Sequence, residues 1–544
     1  MEPSPFSCGA DLVTESLRAA GVSTLFSLSG NQIMPVYDAA IDSGLGIVHV
    51  RHEAAAVFMA DAAAQLTGTV GVALVTAAPG FANALGALFT ARANESPVLL
   101  LSGDAAVGQD GRGAFQELDQ VAMARPVTKH SMRASDAQLL GWTIAEAIRI
   151  ATSGRPGPVH VALPFDVLQA TVPGDKRSMT APQPRIAASA DRADVDRIGA
   201  TLAAAERPVV LLGPRHNPTR APGLAARLAN AVDAPAIVME SPRGLNDPAL
   251  GAIGRALAQA DYIVCLGKAV DFTLGFGKTP PFAADCRWLV VDGDAAERAR
   301  AALNLGARLV AAIDADPGAM AEALLERRRP HGANRAAWRS EVAQRVAARG
   351  FTSPAIDARG AIHPARLSAA VQRQIDRTGD AILVVDGGEF GQWAQACLSA
   401  PRRLINGPAG AIGGGMCAGI AAGLLNPGAL VIALMGDGSA GFHFSELDTA
   451  ARHGVRVVVV IGNDARWNAE HQIQLRDYGP DRLIGCGLAP TRYDLAAIGL
   501  GCHGEQVTRA EDLDAALDRA IASDKPAVVN VMIEGLAAPS GAGH

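Results

Sequence analysis

The chain has 544 residues, 49% hydrophobic and 19% charged, which excludes disorder as its overall state and suits three or four domains. With 48 Lys+Arg against 54 Asp+Glu the net charge is −6, so no global electrostatic reason exists for binding nucleic acid or an anionic membrane. Aromatics are only 4%, and the cores must be built mostly from Ala, Val, Leu and Ile.

The chain starts MEPSPFSCGA, without a basic region followed by an apolar run, so no signal peptide is expected. The most apolar stretches, 429–434 and 455–461, have the length of strands and fall well short of the ~20 residues of a membrane span. The seven cysteines (Cys8, Cys265, Cys286, Cys397, Cys417, Cys486 and Cys502) are odd in number and contain no C-x-x-C pair. That argues against a zinc ribbon and a secreted disulfide framework, and predicts buried free thiols in a reducing, cytoplasmic compartment.

Three blocks follow one another. In the first, residues 7–170, an amphipathic helix (11–20) precedes a strand (24–27), a helix (35–43) and a strand (46–50). Further apolar runs at 71–76, 98–102 and 159–163 read as strands, with helical patterns at 54–66 and 82–93 between them. This alternation predicts a parallel sheet with helices on both faces. A polar stretch with GDKRS and APQPR, 172–190, reads as a linker. The second block starts near 191, with strands at 208–212, 262–266 and 288–291 and an Arg/Ala-rich helix over 327–349. A second linker, GFTSPAIDARGAIH, covers 350–363. The third block has strands at 381–385, 429–434, 456–461 and 527–531, and the closing GLAAPSGAGH reads as a frayed tail. The expected fold class is therefore α/β, with three doubly wound parallel-sheet domains at 1–172, 191–345 and 360–535.

The sharpest signal is ALVIALMGDGSAGFHFSELDTAARHGVRVVVVIGNDARW, residues 429–467. A buried strand ends in Gly436-Asp437-Gly438-Ser439, a helix follows, and a second strand ends in Gly462-Asn463-Asp464. Both acids thus fall at carboxyl ends of parallel strands, the edge where open α/β sheets bind ligands. Glycines admit a phosphate close to the backbone, and the helix start offers free N–H groups. Asp437 and Asp464 supply hard oxygens for Mg2+, which keeps its remaining positions for diphosphate and water.

This arrangement resembles the motif of thiamine-diphosphate-dependent enzymes, which begins with GDG and ends with an Asn pair. Here the pair is Asn463-Asp464. By position Asp464 takes the metal-binding Asn and the carbonyl near Arg466 the third protein ligand, while Asn463 remains a possible substitute. The resemblance extends to acetolactate synthase and related 2-oxo acid decarboxylases. RHEAAAVFMADAAAQLTG (51–68) is similar to their segment with the catalytic Glu, here Glu53. TAAPGFANALGAL (76–88) resembles their GPGxxN turn and implicates Gly80 and Asn83 in cofactor binding. GRGAFQELDQVAMARPVTKHSM (111–132) resembles their FQE and TKH elements, with Phe115, a catalytic Gln116 and Lys129. GPAGAIGGGMCAGIAAG (407–423) places Ile412 behind the bent cofactor, and VDGGEFGQW adds Gly388, Glu389 and Phe390 as a second diphosphate loop.

The resemblance implies thiamine diphosphate and Mg2+ as cofactors. Their chemistry turns a thiazolium carbon into a nucleophile and later an electron sink, with a carboxylate, Glu53, on the aminopyrimidine N1′. It implies a homodimer or homotetramer in which each site uses two chains, and a small-molecule 2-oxo acid substrate. An acyl-CoA substrate, as in oxalyl-CoA decarboxylases and 2-hydroxyacyl-CoA lyases, is the alternative. A non-catalytic cofactor-binding protein is the third reading, and an intact Glu53 argues against it. The acceptor-pocket Met and Trp of acetolactate synthases are Ala469 and Ile473 here, so Asn31, Phe115, Trp467 and Glu470 are the substrate-pocket candidates, with His471 and Gln474 nearby. The family's long C-terminal lid is missing. In the middle block LGKAVDFTLGFG (266–277) lies where those enzymes surround flavin, without their Arg-rich loop and without G-x-G-x-x-G, so FAD stays open.

Overall fold

A computed structural model describes residues 6–173, 189–327, 335–348 and 361–539. Most of each expected linker lies outside them. The first sheet contains β2 (Thr24–Ser27), β3 (Gly46–His49), β4 (Gly71–Val75), β5 (Val98–Asp104), β6 (His130–Arg133) and β7 (Val159–Pro164). It is flanked by β1 (Phe6–Cys8) and β8 (Thr171–Pro173), which pair with each other antiparallel. The central sheet contains β9 (Pro208–Leu212), β10 (Ala236–Val238), β11 (Tyr262–Leu266), β12 (Arg287–Val291) and β13 (Leu309–Ile313). The third contains β14 (Ala381–Val385), β15 (Arg402–Ile405), β16 (Leu430–Gly436), β17 (Val458–Asn463), β18 (His503–Val507) and β19 (Ala527–Met532).

All three sheets are parallel, as the alternating pattern predicts. The first runs β3-β2-β4-β5-β7-β6 and the third β15-β14-β16-β17-β19-β18, which is the same connectivity. The central sheet runs β10-β9-β11-β12-β13. Inner strands such as β4 and β5 are buried along their whole length, because helices cover both faces. In the central sheet the two faces separate by alternation: Ile263 and Cys265 of β11 join one apolar cluster, Val264 and Leu266 the other.

The chain forms two compact units. One holds the first sheet together with residues 420–427 and 443–455; the other holds the remainder, with the central and third sheets on separate apolar clusters. The helix Glu446–Arg452, which the sequence order assigns to the third block, thus belongs to the first unit.

Two expectations are corrected. The helix over 327–349 is shorter: it spans Ala336–Ala347, after a separate helix Pro317–Glu326, and Arg327 is extended. The tail is not frayed over 535–539. Leu536 and Ala538 pack on the third-sheet core, and the Leu536 carbonyl accepts from Trp393 Nε1 at 3.3 Å and Asn468 Nδ2 at 3.2 Å. Among the described residues no helix is long and apolar enough to cross a membrane, and all seven cysteines are free.

The helix Glu53–Thr67 carries Glu53 at its start. His52 caps its start by accepting from Ala54 N–H, and Gly68, at φ 71°, ends it. Its alanines let it lie so close to β4 that a Cβ on Gly71 would stand 1.9 Å from the Ala60 carbonyl oxygen. Gly71→Ala should therefore cost about 1–3 kcal/mol or more in denaturant unfolding. Gly86→Ala, where a Cβ meets nothing within 4 Å on the helix Pro79–Ala93, should be neutral or stabilise by up to ~1 kcal/mol. Equal losses in both would refute the packing argument.

Candidate functional site

In the second unit, a cavity of about 320 Å³ opens at the carboxyl ends of β14, β16 and β17. Gly436, Asp437, Gly438 and Ser439 line one side; Asp464, Arg466, Trp467 and Glu470 line another; Gly388, Glu389, Phe390 and Ile412 complete the floor. The GDG turn is glycine for a steric reason. A Cβ on Gly438 would stand 2.5 Å from the Trp467 ring. Tyr493, unmarked in the sequence, pins the turn by donating its hydroxyl to the Asp437 carbonyl at 2.8 Å.

Asp437 and Asp464 face each other at adjacent strand ends. Burial pushes Asp437 up to about 6, and burial with the neighbouring Asp437 charge pushes Asp464 up to about 7. Among the described residues, Asp437 Oδ2 is buried without a hydrogen-bond partner. Two acids and an orphaned oxygen fit a hard divalent cation, which would favour both charged forms. Arg466, the expected source of a carbonyl ligand, turns its guanidinium back: Nε donates to the Asp464 carbonyl at 3.1 Å.

Asn463 is not a substitute ligand. Its amide points away from the cavity, with Nδ2 donating to Thr491 O and Asn530 Oδ1 at 3.1 Å each and Oδ1 accepting from Ala465 N–H at 3.1 Å. It shapes the turn that carries Asp464, and Ala465 takes φ 55° there. Phe390 acts from below: a Cβ on Gly462 would stand 2.6 Å from its ring. Glu389 is pushed up by burial and held down by the Ala538 N–H, which donates to Oε1 at 2.6 Å. The tail segment thereby reaches the cavity lining.

Sequence reasoning missed Asp386. It is 1% exposed and accepts from Gly387 N–H at 2.6 Å and from Gly413 and Gly415 N–H at 3.0 Å. Burial pushes it up to about 6 despite these three amides. This one carboxylate ties the Gly387–Gly388 loop to the turn bearing Ile412; its signal was only the Asp of VDGG.

In the first unit, Glu53 is 8% exposed at the start of its helix, and Asn83 Nδ2 donates to Glu53 Oε2 at 3.0 Å. A Cβ on Gly80 would stand 3.2 Å from Glu53 Oε1, so the glycine keeps that oxygen clear. Gln116, at φ 60°, accepts from Gln32 Nε2 at 2.8 Å, and Gln32 Oε1 accepts from Thr76 Oγ1 at 2.7 Å. Gln32, absent from the sequence reading, is thus the link to Gln116. Asn31 lies exposed on a 3-10 turn and the Phe115 ring is 75% exposed. Neither lines the cavity described above.

Residues 8–123 match the family model "Thiamine pyrophosphate enzyme, N-terminal TPP binding domain", and residues 386–531 its C-terminal counterpart. Over 96% of this chain and 95% of the relative, it is 32% identical to the acetolactate synthase large subunit IlvG of Mycobacterium tuberculosis. The chain belongs to the thiamine-pyrophosphate enzyme family. It is also 32% identical to human 2-hydroxyacyl-CoA lyase 2, over 93% of this chain and 86% of that one. A thiamine diphosphate-dependent 4-hydroxybenzoylformate decarboxylase from Rhodococcus jostii superposes with a TM-score of 0.83, at 26% identity, over 97% of this chain and 99% of its own. The protein is an enzyme, and thiamine diphosphate is its cofactor.

A flavin fits less well. At the carboxyl ends of β9 and β11, Arg215 pairs with Asp316 at 2.8 Å and Lys268 lies 3.7 Å from Asp271. A Cβ on Gly267 would meet Pro317 at 3.2 Å. Both of these cations are engaged by the chain itself.

The raised acids have a pH consequence. A carboxyl that holds its proton more tightly folded than unfolded stabilises the fold at low pH, and that contribution fades between its unfolded and folded pKa values. For Asp437 and Asp464 the window runs from about 4, the ordinary carboxylate value, to about 7. In chelator, Asp464→Asn should therefore gain thermal stability on wild type as pH rises from 5 to 7.5. A constant difference between the two would refute the facing-acid geometry.

Proposed function

We propose that the enzyme is a Mg2+-dependent lyase or carboligase that breaks or makes the C–C bond beside the carbonyl of a 2-oxo acid. The observation that carries this reading is the facing pair of acids, Asp437 buried in the GDG turn and Asp464 half-buried after the next strand, with an Asp437 Oδ2 that has no hydrogen-bond partner among the described residues. When bound, thiamine diphosphate supplies a carbon nucleophile and an electron sink. Asp437, Asp464 and the Arg466 carbonyl would hold Mg2+, and the backbone of Gly436, Gly438, Ser439 and Gly388 would cradle the diphosphate. Ile412 would back the bent cofactor, over the floor supported by Phe390 and Glu389. Glu53 would share a proton with the aminopyrimidine N1′, held in place by Asn83 and left accessible by Gly80. Gln116 would sit beside the reacting carbon.

The domains are proposed as 1–172 for the pyrimidine, 360–535 for the diphosphate and 191–345 between them. The family relationship supports a homodimer or homotetramer in which Asn31 and Phe115, exposed on the first unit, face a partner subunit. Trp467 and Glu470 would line the substrate end of the cavity. Arg243 also lines it, and among the described residues its guanidinium has no hydrogen-bond or ion-pair partner. Its charge, which also draws Glu389 down, suits an anionic substrate. That feature and the similarity to 2-hydroxyacyl-CoA lyase 2 support an acyl-CoA as the second reading. Turnover of pyruvate, benzoylformate, oxalyl-CoA and a 2-hydroxyacyl-CoA with thiamine diphosphate and Mg2+, products identified by mass, separates the two. Turnover of neither CoA ester removes the second, and turnover of neither 2-oxo acid removes the first.

Asp437→Ala should abolish Mg2+-dependent cofactor binding, while Asp464→Asn should largely keep it, because an amide oxygen remains a hard donor. Calorimetric titration of the cofactor decides; wild-type affinity in Asp437→Ala would end the metal assignment.

Glu53→Gln should retain the cofactor and lose C2–H exchange of bound cofactor in deuterium oxide by about 10²–10⁴-fold, the usual worth of an acid–base group. Exchange within about threefold of wild type would refute the role, being far below that range.

A further inference from the structure

The β3 strand ends at His49, and four residues later Glu53 begins its helix. The turn between them exposes a run of backbone polar groups that must find partners. Two are met locally. Val50 N–H donates to Ser27 O at 2.9 Å, and the His52 ring accepts from Ala54 N–H at 3.1 Å. The Arg51 N–H and the His49 carbonyl are met by one short helix, Glu446–Arg452, which belongs to the same compact unit although it is distant in sequence. Arg51 N–H donates to both oxygens of Glu446, at 2.9 and 3.2 Å. Thr449 Oγ1 donates to Glu446 Oε2 at 2.7 Å, and Arg452 donates to the His49 carbonyl at 2.7 Å. Glu446 is 0% exposed.

A carboxylate carries a large desolvation cost, and an uncharged residue of similar size would avoid it. Burial raises Glu446, while Thr449, the Arg51 and His52 N–H groups and Arg452 favour its charged form. Its acceptor capacity is directed at the two amides immediately before Glu53. The turn, and with it the direction in which Glu53 leaves the sheet, is therefore set by a side chain from the segment that follows the GDG motif.

We propose that Glu446 is a positioning residue for Glu53: by accepting from the turn amides it holds the Glu53 carboxylate where a proton is exchanged with the cofactor. The proposal rests on the role given above to Glu53. It concerns neither cofactor affinity nor the metal, since the partners of Glu446 are the turn amides and the Thr449 hydroxyl. A misplacement of about 1 Å at an acid–base group costs on the order of 10²-fold in rate, so loss of the clamp should be visible in proton transfer.

The test measures three quantities on the full-length holoenzyme: cofactor affinity, thermal stability, and C2–H exchange of bound thiamine diphosphate. Glu446→Ala should lower exchange by about 10–10²-fold with affinity within about threefold of wild type. Glu446→Gln, which keeps one acceptor oxygen for Arg51, should restore a large part of the loss. Thr449→Val should act in the same direction more weakly. A purely structural role predicts instead that affinity and stability fall while exchange per bound cofactor is unchanged; that result overturns the proposal. If Glu446→Ala does not fold, Glu446→Gln decides alone: a threefold or larger loss of exchange at wild-type affinity supports positioning, and unchanged exchange refutes it. Glu53→Gln is run beside them. Its failure to lose exchange overturns the underlying reading; its loss beside unaffected Glu446 variants overturns this proposal only.

Discussion

Asp437, buried, and Asp464, half-buried, stand at the ends of neighbouring parallel strands and repel each other, so a cation beside them would favour both charged forms. Much of the second unit is arranged around that pair. Parallel pairing in register puts Gly436 of β16 beside Gly462 of β17, so the segments that carry Asp437 and Asp464 leave the sheet together. Glycines then remove every Cβ that would stand in the way: at 438 against Trp467, at 462 against Phe390, at 387 against Ile412. What remains is a cavity whose lining is largely backbone and carboxylate, the donor set of a magnesium diphosphate.

The identical strand order of the first and third sheets extends the same logic to the other half of the chemistry. In each sheet the chemically significant groups follow the carboxyl ends of the inner strands and their first neighbours. Glu53 follows β3 and Gly80 follows β4; Asp386 follows β14, Asp437 β16 and Asp464 β17. One connectivity thus serves two tasks. In the third sheet the turns are opened by glycine to admit a highly charged group. In the first the turn is closed around a single carboxylate, held by Asn83 and kept clear by Gly80.

Legibility in the sequence followed burial. The inner strands β2, β4, β5, β7, β9, β11, β12, β14, β16, β17 and β19 were all readable as apolar runs, because both faces of a parallel sheet are covered. The strands missed within the three sheets, β6, β10, β13, β15 and β18, are edges. They carry HSMR, AIV, LVAAI, RRLI and HGEQV, mostly part-exposed, and an edge has no need of a continuous apolar run. Of the edges only β3 was legible. Among the candidate residues, Asp437, Asp464 and Glu53 stood out because a motif fixes their neighbours. Asn463 was misjudged because spacing says which residues share a strand end and cannot say that its amide is consumed by Thr491, Asn530 and Ala465. The tail was misjudged because its composition is small and apolar, while what holds it, Trp393, Asn468 and Glu389, comes from distant helices.

Asp386 and Glu446 were invisible for a further reason. Neither lines the cavity at the GDG turn. Each is a fully desolvated carboxylate that spends its oxygens on the amides of a turn: Gly387, Gly413 and Gly415 in one case, Arg51 in the other. A carboxylate accepts several such bonds at once, each charge-assisted, and so fixes several backbone atoms relative to one another more rigidly than apolar packing around the same turn would. Desolvation makes the arrangement costly, and it persists where the position of a backbone turn matters more than its stability. The turns these two acids hold bear Ile412 and Glu53, the residues assigned to the cofactor's shape and to its proton.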